Sequence, residues 1–137
     1  MCNEFLNIII IINLKWNAWW QPLAEIEEEL IKSIIRGFNR MIILWLLSRE
    51  PMSGYKILKS LREITGQTPH SGVVYSLLYE LEAKGLIASS WTQRGRRRIN
   101  YYSITDKGLA FLSRLREFFK TPVREVLENL LGEVDNL

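Results

Sequence analysis

Seven consecutive residues, Met41-Ile42-Ile43-Leu44-Trp45-Leu46-Leu47, carry no charged or amide side chain. A surface helix keeps one face wet, whereas a helix that is apolar nearly all round must be covered on most sides. The segment 39–48 is therefore expected to form the centre of a core, with the other elements packed around it. A chain of 137 residues can supply those elements within one domain, without a disulfide or a metal as a staple.

The surrounding pattern is helical on both sides. Pro22 suits a first helical position, and Leu23, Ile26, Leu30, Ile34 and Phe38 recur at helical spacing with Glu25, Glu28, Glu29 and Lys32 between them. That helix is expected to end near Gly37. After the central segment, Arg49-Glu50-Pro51-Met52 breaks the run and Ser53 is placed to cap a helix whose stripe is Ile57, Leu58, Leu61 and Ile64, closed by Gly66. Residues 67–70, with Pro69, are a short connection.

Ser71 is expected to cap a third helix reaching about Lys84, with Val74, Leu77, Leu78 and Leu81 as its buried i, i+3, i+4, i+7 set. Gly72, Ser76 and Tyr79 lie opposite that stripe, and Ser71 and Tyr75 on its flank. Gly85 then reads as a C′ glycine.

A β-rich stretch follows: a strand over 86–91, a hairpin loop over 92–97 and a return strand over 99–104. Thr105 caps a helix through Leu109, Leu112, Leu115 and Phe119, and Thr121-Pro122 restarts it for Val123, Val126, Leu127, Leu130 and Leu131. Three helices followed directly by a hairpin describe a mainly α (α+β) chain built on a winged helix-turn-helix with a two-stranded β-hairpin wing. The division expected is an apolar extension over 1–21, an N-terminal helix over 22–38, the winged domain over 39–105 and C-terminal helices over 106–137.

Charge is distributed unevenly along this plan. Residues 1–50 hold 5 basic and 6 acidic side chains, residues 51–120 hold 12 and 5, and residues 121–137 hold 1 and 4. Within the positive middle, Arg94-Gly95-Arg96-Arg97-Arg98 places four fixed charges in five residues. Like charges at that density repel one another, and an anionic partner removes the cost, so double-stranded DNA is the first candidate partner. In a winged helix the third helix enters the major groove while the wing lies along phosphates or in the minor groove. The candidate DNA-binding residues are accordingly Lys56, Ser71, Gly72, Tyr75, Ser76, Tyr79, Arg94, Arg96, Arg97 and Arg98. Tyr75 has two readings, as a DNA contact or as filler of the seam between helices, and Lys56 is either a backbone contact or a solvated lysine.

Other chemistries find little to use. One cysteine, Cys2, and one histidine, His70, form neither an internal disulfide nor a Cys/His metal site, and no nucleophile–base arrangement or phosphate-cradling glycine loop is present. Neither an enzymatic role nor a cofactor is expected. At the N-terminus, residues 5–14 are apolar except for Asn7 and Asn13, with five isoleucines in a row. Ten residues fall short of the about 20 that span a bilayer, and neither a basic stretch before the run nor a small-residue cleavage site after it marks a secretory signal. No stable membrane insertion is expected and a cytoplasmic location is. The run is either an element packed on a partner subunit or an extension from a mis-assigned start codon.

The residues also carry a family likeness. Ile43-Leu44-Trp45-Leu46-Leu47, Ser53-Gly54-Tyr55-Lys56-Ile57, Ser71-Gly72-Val73-Val74-Tyr75-Ser76-Leu77-Leu78 and Leu81-Glu82-Ala83-Lys84-Gly85-Leu86-Ile87 are followed by Arg97-Arg98-Ile99-Asn100-Tyr101-Tyr102-Ser103-Ile104-Thr105 and Gly108. In this order and spacing, segment 43–108 resembles PadR-type transcriptional regulators. It departs from them at Ser76, where the family often has proline, and in residues 1–36, which have no obvious counterpart. The resemblance implies a homodimeric DNA-binding repressor, with the flanking helices serving dimerisation and an effector relieving repression. Trp16, Trp19, Trp20 and Trp45 then have two readings, as the lining of a pocket for a small aromatic effector or as core and interface packing. The alternative to DNA binding is a winged-helix module whose basic wing meets an acidic protein surface.

Overall fold

The computed structural model describes residues 24–67 and 69–135. The order is helix α1 (Ala24–Leu47), strand β1 (Met52–Ser53), helices α2 (Gly54–Thr65) and α3 (Ser71–Ala83), strands β2 (Ile87–Arg94) and β3 (Arg97–Ile104), helix α4 (Asp106–Phe118), a π-helical turn (Phe119–Val123) and helix α5 (Arg124–Asp135). Contacts divide the chain into two units, residues 1–37 and 38–137. The Ile-rich run and Trp16, Trp19 and Trp20 lie outside the described residues.

The core belongs to the second unit. Ile43, Leu44, Ile57, Leu61, Val74 and Leu77 are fully enclosed, and Leu46, Leu47, Leu58, Leu78, Leu81, Ile87, Tyr102 and Leu112 join them. The expected central helix thus contributes four core side chains, while Trp45 remains on the surface with the Arg49 guanidinium 5.3 Å from its ring centre. Ile64 also departs from its expected stripe and is half exposed.

Local signals fix most boundaries. Ser53 Oγ accepts from the Lys56 N–H at 3.2 Å and Thr105 Oγ1 from the Gly108 N–H at 3.1 Å, the expected caps of α2 and α4. Gly66 (φ 64°) and Gly85 (φ 70°) take the left-handed conformation that closes α2 and α3.

Four expectations are corrected. The helix of 22–37 does not stop at Gly37: α1 runs unbroken for 24 residues. A mid-helix glycine costs about 1 kcal/mol relative to alanine, which helical neighbours on both sides override. Ser71 is the first helical residue of α3 rather than its cap; His70 is the cap, its carbonyl accepting from Val73 and Val74, and its side chain makes no capping bond. The hairpin loop is not 92–97 but the two residues Gly95 and Arg96, because the ladder extends to the pair Arg94↔Arg97. The expected restart at Thr121-Pro122 is a π-helical turn that carries the chain from α4 into α5 without a break in helix.

The sheet has three antiparallel strands in the order β1-β3-β2. Met52 pairs with Tyr102 and Ser53 with Tyr101, so the short β1 ties the start of α2 to the base of the hairpin. The hairpin base is joined to α4 at Gly108. A Cβ there would stand 2.1 Å from the Leu86 carbonyl oxygen, so only glycine lets the helix approach this closely. Among the described residues, no helix is long and apolar enough to cross a membrane.

Candidate nucleic-acid interface

Helix α3 buries Val74, Leu77, Leu78 and Leu81 and turns the opposite surface outward. Ser71, Gly72 and Ser76 are exposed, Tyr79 is 75% exposed and Tyr75 is 48% exposed. Its rear is tied to α1 by Arg40, whose Nε and Nη2 donate to Glu80 Oε2 at 3.0 and 2.6 Å. That pair is about one-third exposed, which limits it to roughly 1 kcal/mol, but it fixes which side of α3 faces in.

Of the two roles read from the sequence for Tyr75, its position shows the filling of the helix seam. A Cβ on Gly54 would meet its ring at 2.7–3.0 Å, so the phenol fills the seam between the start of α2 and α3 while half its surface stays open. Lys56 is exposed, but its ammonium is paired with Glu50, and this pairing holds the Glu50 carboxyl below the usual carboxylate range. Ser53 is the cap of α2.

The wing carries its charge on ordered strands. Gly95 has φ 61° and, with no positive φ at any non-glycine residue described, Arg96 does not, the sign pattern of a type II′ turn. Arg94, Arg97 and Arg98 are therefore strand residues and only Arg96 sits in the turn. Arg94 and Arg97 are directly opposed, on one face of the ribbon. Among the described residues, none of the four arginines has a carboxylate within salt-bridge reach.

The other face of the ribbon runs from the buried Ile87 and Tyr102 at its base, past Trp91 and Asn100, to Gln93 and Arg98. The Arg98 guanidinium lies 5.1 Å from the Trp91 ring centre, within cation–π range. An open groove separates this face from α2 and α3 and is lined by Gly54, Tyr55, Tyr75, Trp91, Arg98 and Asn100, among others. At its floor, burial raises the Tyr102 phenol above the ordinary tyrosine range, helped by Tyr75 and Glu82 nearby and opposed by the hydrogen bond from Asn100. Asn100 Oδ1 is buried without a partner.

The groove thus joins Tyr75, Arg97 and Arg98 from the sequence-derived set and adds Tyr55 and Trp91, which that set lacks. Tyr55 was findable, since it falls off the Ile57, Leu58, Leu61 stripe of its helix. Trp91 was not, because its face depends on the ladder register.

Comparison with known proteins gives the arrangement a family. The model of the transcriptional regulator PadR-like family matches residues 43–114, from the core helix to α4. This chain belongs to the PadR-like family of transcriptional regulators. Among curated relatives, the transcriptional regulator YqjI of Escherichia coli is 32% identical over 83 residues. That match takes in 59% of this chain and 39% of YqjI, so the chain accounts for well under half the length of that relative. Among solved structures, TA0346 of Thermoplasma acidophilum is 31% identical, with a TM-score of 0.66 over 73% of this chain and 96% of its own. Bacillus subtilis PadR, crystallised with operator DNA, is 28% identical, with a TM-score of 0.52 over 58% of this chain and 45% of its own. The two solved structures thus share the fold of the matched part of this chain.

Proposed function

We propose that this PadR-like regulator binds operator DNA as a homodimeric repressor, with α3 in the major groove and the wing along the backbone. The observation that carries the reading is the adjacency of two uncovered surfaces: the Ser71, Gly72, Tyr75, Ser76 and Tyr79 face of α3 and an arginine ribbon without carboxylate partners, joined by one groove. The operator complex of B. subtilis PadR supports it. In this reading Arg94, Arg96, Arg97 and Arg98 supply affinity and register, while Ser76 and Tyr79 reach base edges. Lys56 contributes only where a phosphate displaces Glu50 from it.

The dimer is supported by α5, whose Val126, Leu130 and Leu131 are 64, 56 and 62% exposed on a helix that the winged core leaves uncovered. Apolar stripes of this kind are stable in water when a second copy buries them. Release by an effector is what the family resemblance implies, and a small aromatic one is what the tryptophans suggest; Trp45, on the surface beside Arg49, is the one tryptophan of the four candidates that the structure describes.

A fluorescence-anisotropy titration with duplex DNA at several salt concentrations tests the reading. About 8 phosphates neutralised by a dimer give a slope of log K against log salt near −7. Footprinting upstream of the protein's own gene is expected to show a pseudo-palindromic protected site. A slope near zero, or no duplex binding at low salt, overturns DNA binding and favours a protein partner for the wing.

A further inference from the structure

Among the wing arginines, Arg98 is the one held in place. It lies diagonally across the ladder from Trp91 and rests on the indole, whereas Arg94, Arg96 and Arg97 have neither a ring nor a carboxylate against them among the described residues. A long arginine side chain loses considerable rotamer freedom when it meets an anion, and one already resting on a ring has lost part of it beforehand. Trp91 is 61% exposed, so the indole supports Arg98 from the surface and not as part of the core.

Trp91 and Arg98 face the groove whose opposite wall is Tyr55 and Tyr75. A duplex that offers its major groove to α3 and the neighbouring minor groove to the wing must pass one sugar–phosphate strand between those elements, since that strand is what separates the two grooves. The groove is the space the protein leaves for it, and its walls offer donors to an anion: tyrosine hydroxyls on one side and, on the other, the guanidinium groups of Arg97 and Arg98, of which Arg98 alone is stacked on a ring.

We propose that this groove seats one phosphodiester strand of the DNA duplex, with Arg98 as its charged contact and Trp91 as the positioning residue that presets Arg98. The proposal rests on the DNA-binding reading above and adds to it an inequality among the arginines, with Arg98 coupled to Trp91 and Arg96 independent of it.

A double-mutant cycle tests this on the full chain with a random-sequence duplex as probe. Trp91→Ala is expected to weaken binding about 2- to 5-fold per engaged wing. The same loss is expected in an Arg96→Gln background and none in an Arg98→Gln background, while Trp91→Phe retains most of the affinity. A Trp91→Ala protein that binds like the wild type, or one that loses as much without Arg98 as with it, overturns the proposal. So does a Trp91→Phe protein as weak as Trp91→Ala, which keeps the test decisive should the alanine variant fold poorly. Duplex binding by the wild type together with a flat cycle overturns the groove assignment alone; absence of wild-type binding overturns the DNA reading with it.

Discussion

The phenol ring of Tyr75 occupies the space that any side chain at Gly54 would need, with Cε1 2.7 Å and Oη 2.8 Å from where a Cβ would stand. The first residue of α2 therefore sets the position of a side chain on the exposed face of α3. The two helices of the helix-turn-helix are registered through a ring that is itself half exposed.

Gly54→Ala puts a helix-favouring residue where a ring must move. The propensity gain of up to about 1 kcal/mol opposes an overpacking cost of about 1–3 kcal/mol, and since the obstacle is the end of a flexible side chain the net loss should stay near 1 kcal/mol. The penalty should vanish in Gly54→Ala/Tyr75→Ala, a non-additivity read by urea denaturation of the four proteins. Selection from a random duplex library should show altered base preference for Gly54→Ala, because Tyr75 is displaced.

Gly108→Ala has the same chemistry and a larger cost. Its Cβ would stand 2.1 Å from a backbone oxygen, that of Leu86, which cannot rotate away, and 2.6 Å from Ile104 Cγ1. Loss of about 3 kcal/mol or more is expected, seen as a lowered melting temperature or insoluble expression.

Arg97→Gln should move stability and affinity in opposite directions. Removing one of two like charges opposed across the ladder should stabilise the hairpin by about 0.2–1 kcal/mol, measured by thermal melting. Duplex binding should weaken for all sequences alike, with a salt slope about 2 closer to zero if one phosphate contact is lost from each protomer. Ser76→Ala and Tyr79→Ala should instead change sequence preference.

Alkaline titration isolates Tyr102. Its phenol is raised chiefly by burial, so the unfolded chain ionises first. The contribution of this group to stability is full below the unfolded value of about 10 and is lost as pH rises through the higher folded value. A tyrosinate absorbance titration should contain a step above the ordinary range that Tyr102→Phe removes.

What was legible in the sequence follows the strength of the local signal. Ser53 and Thr105 were readable as caps because a hydroxyl immediately before an apolar period has one economical use. The stripes of α2 and α3 were readable because burial imposes the helical period, although Ile64 shows that the period can outlast the burial. Gly37 misled because a cost near 1 kcal/mol does not by itself break a helix that has helical residues on both sides. The Ser71 cap was displaced by one residue, since His70 can supply the carbonyl and needs no side-chain bond to do so. Trp91 and the seam at Gly54 depend on ladder register and on which helix lies opposite, and those are tertiary facts, whereas Tyr55 could have been found off the stripe of its helix. The arginine ribbon was visible at once as charge, but not as a ladder, because Arg94-Gly95-Arg96-Arg97 lacks the Asn-Gly or Asp-Gly pair that announces a tight turn.

That ladder changes the thermodynamics expected of the wing. A six-residue loop would have to be ordered against DNA, at about 1–2 kcal/mol for each backbone residue fixed. With Arg94 paired to Arg97 across a two-residue turn, that ordering is completed when the protein folds. Under the proposed function the wing meets a duplex as a stiff prong, and what remains to be immobilised on binding is side chains alone.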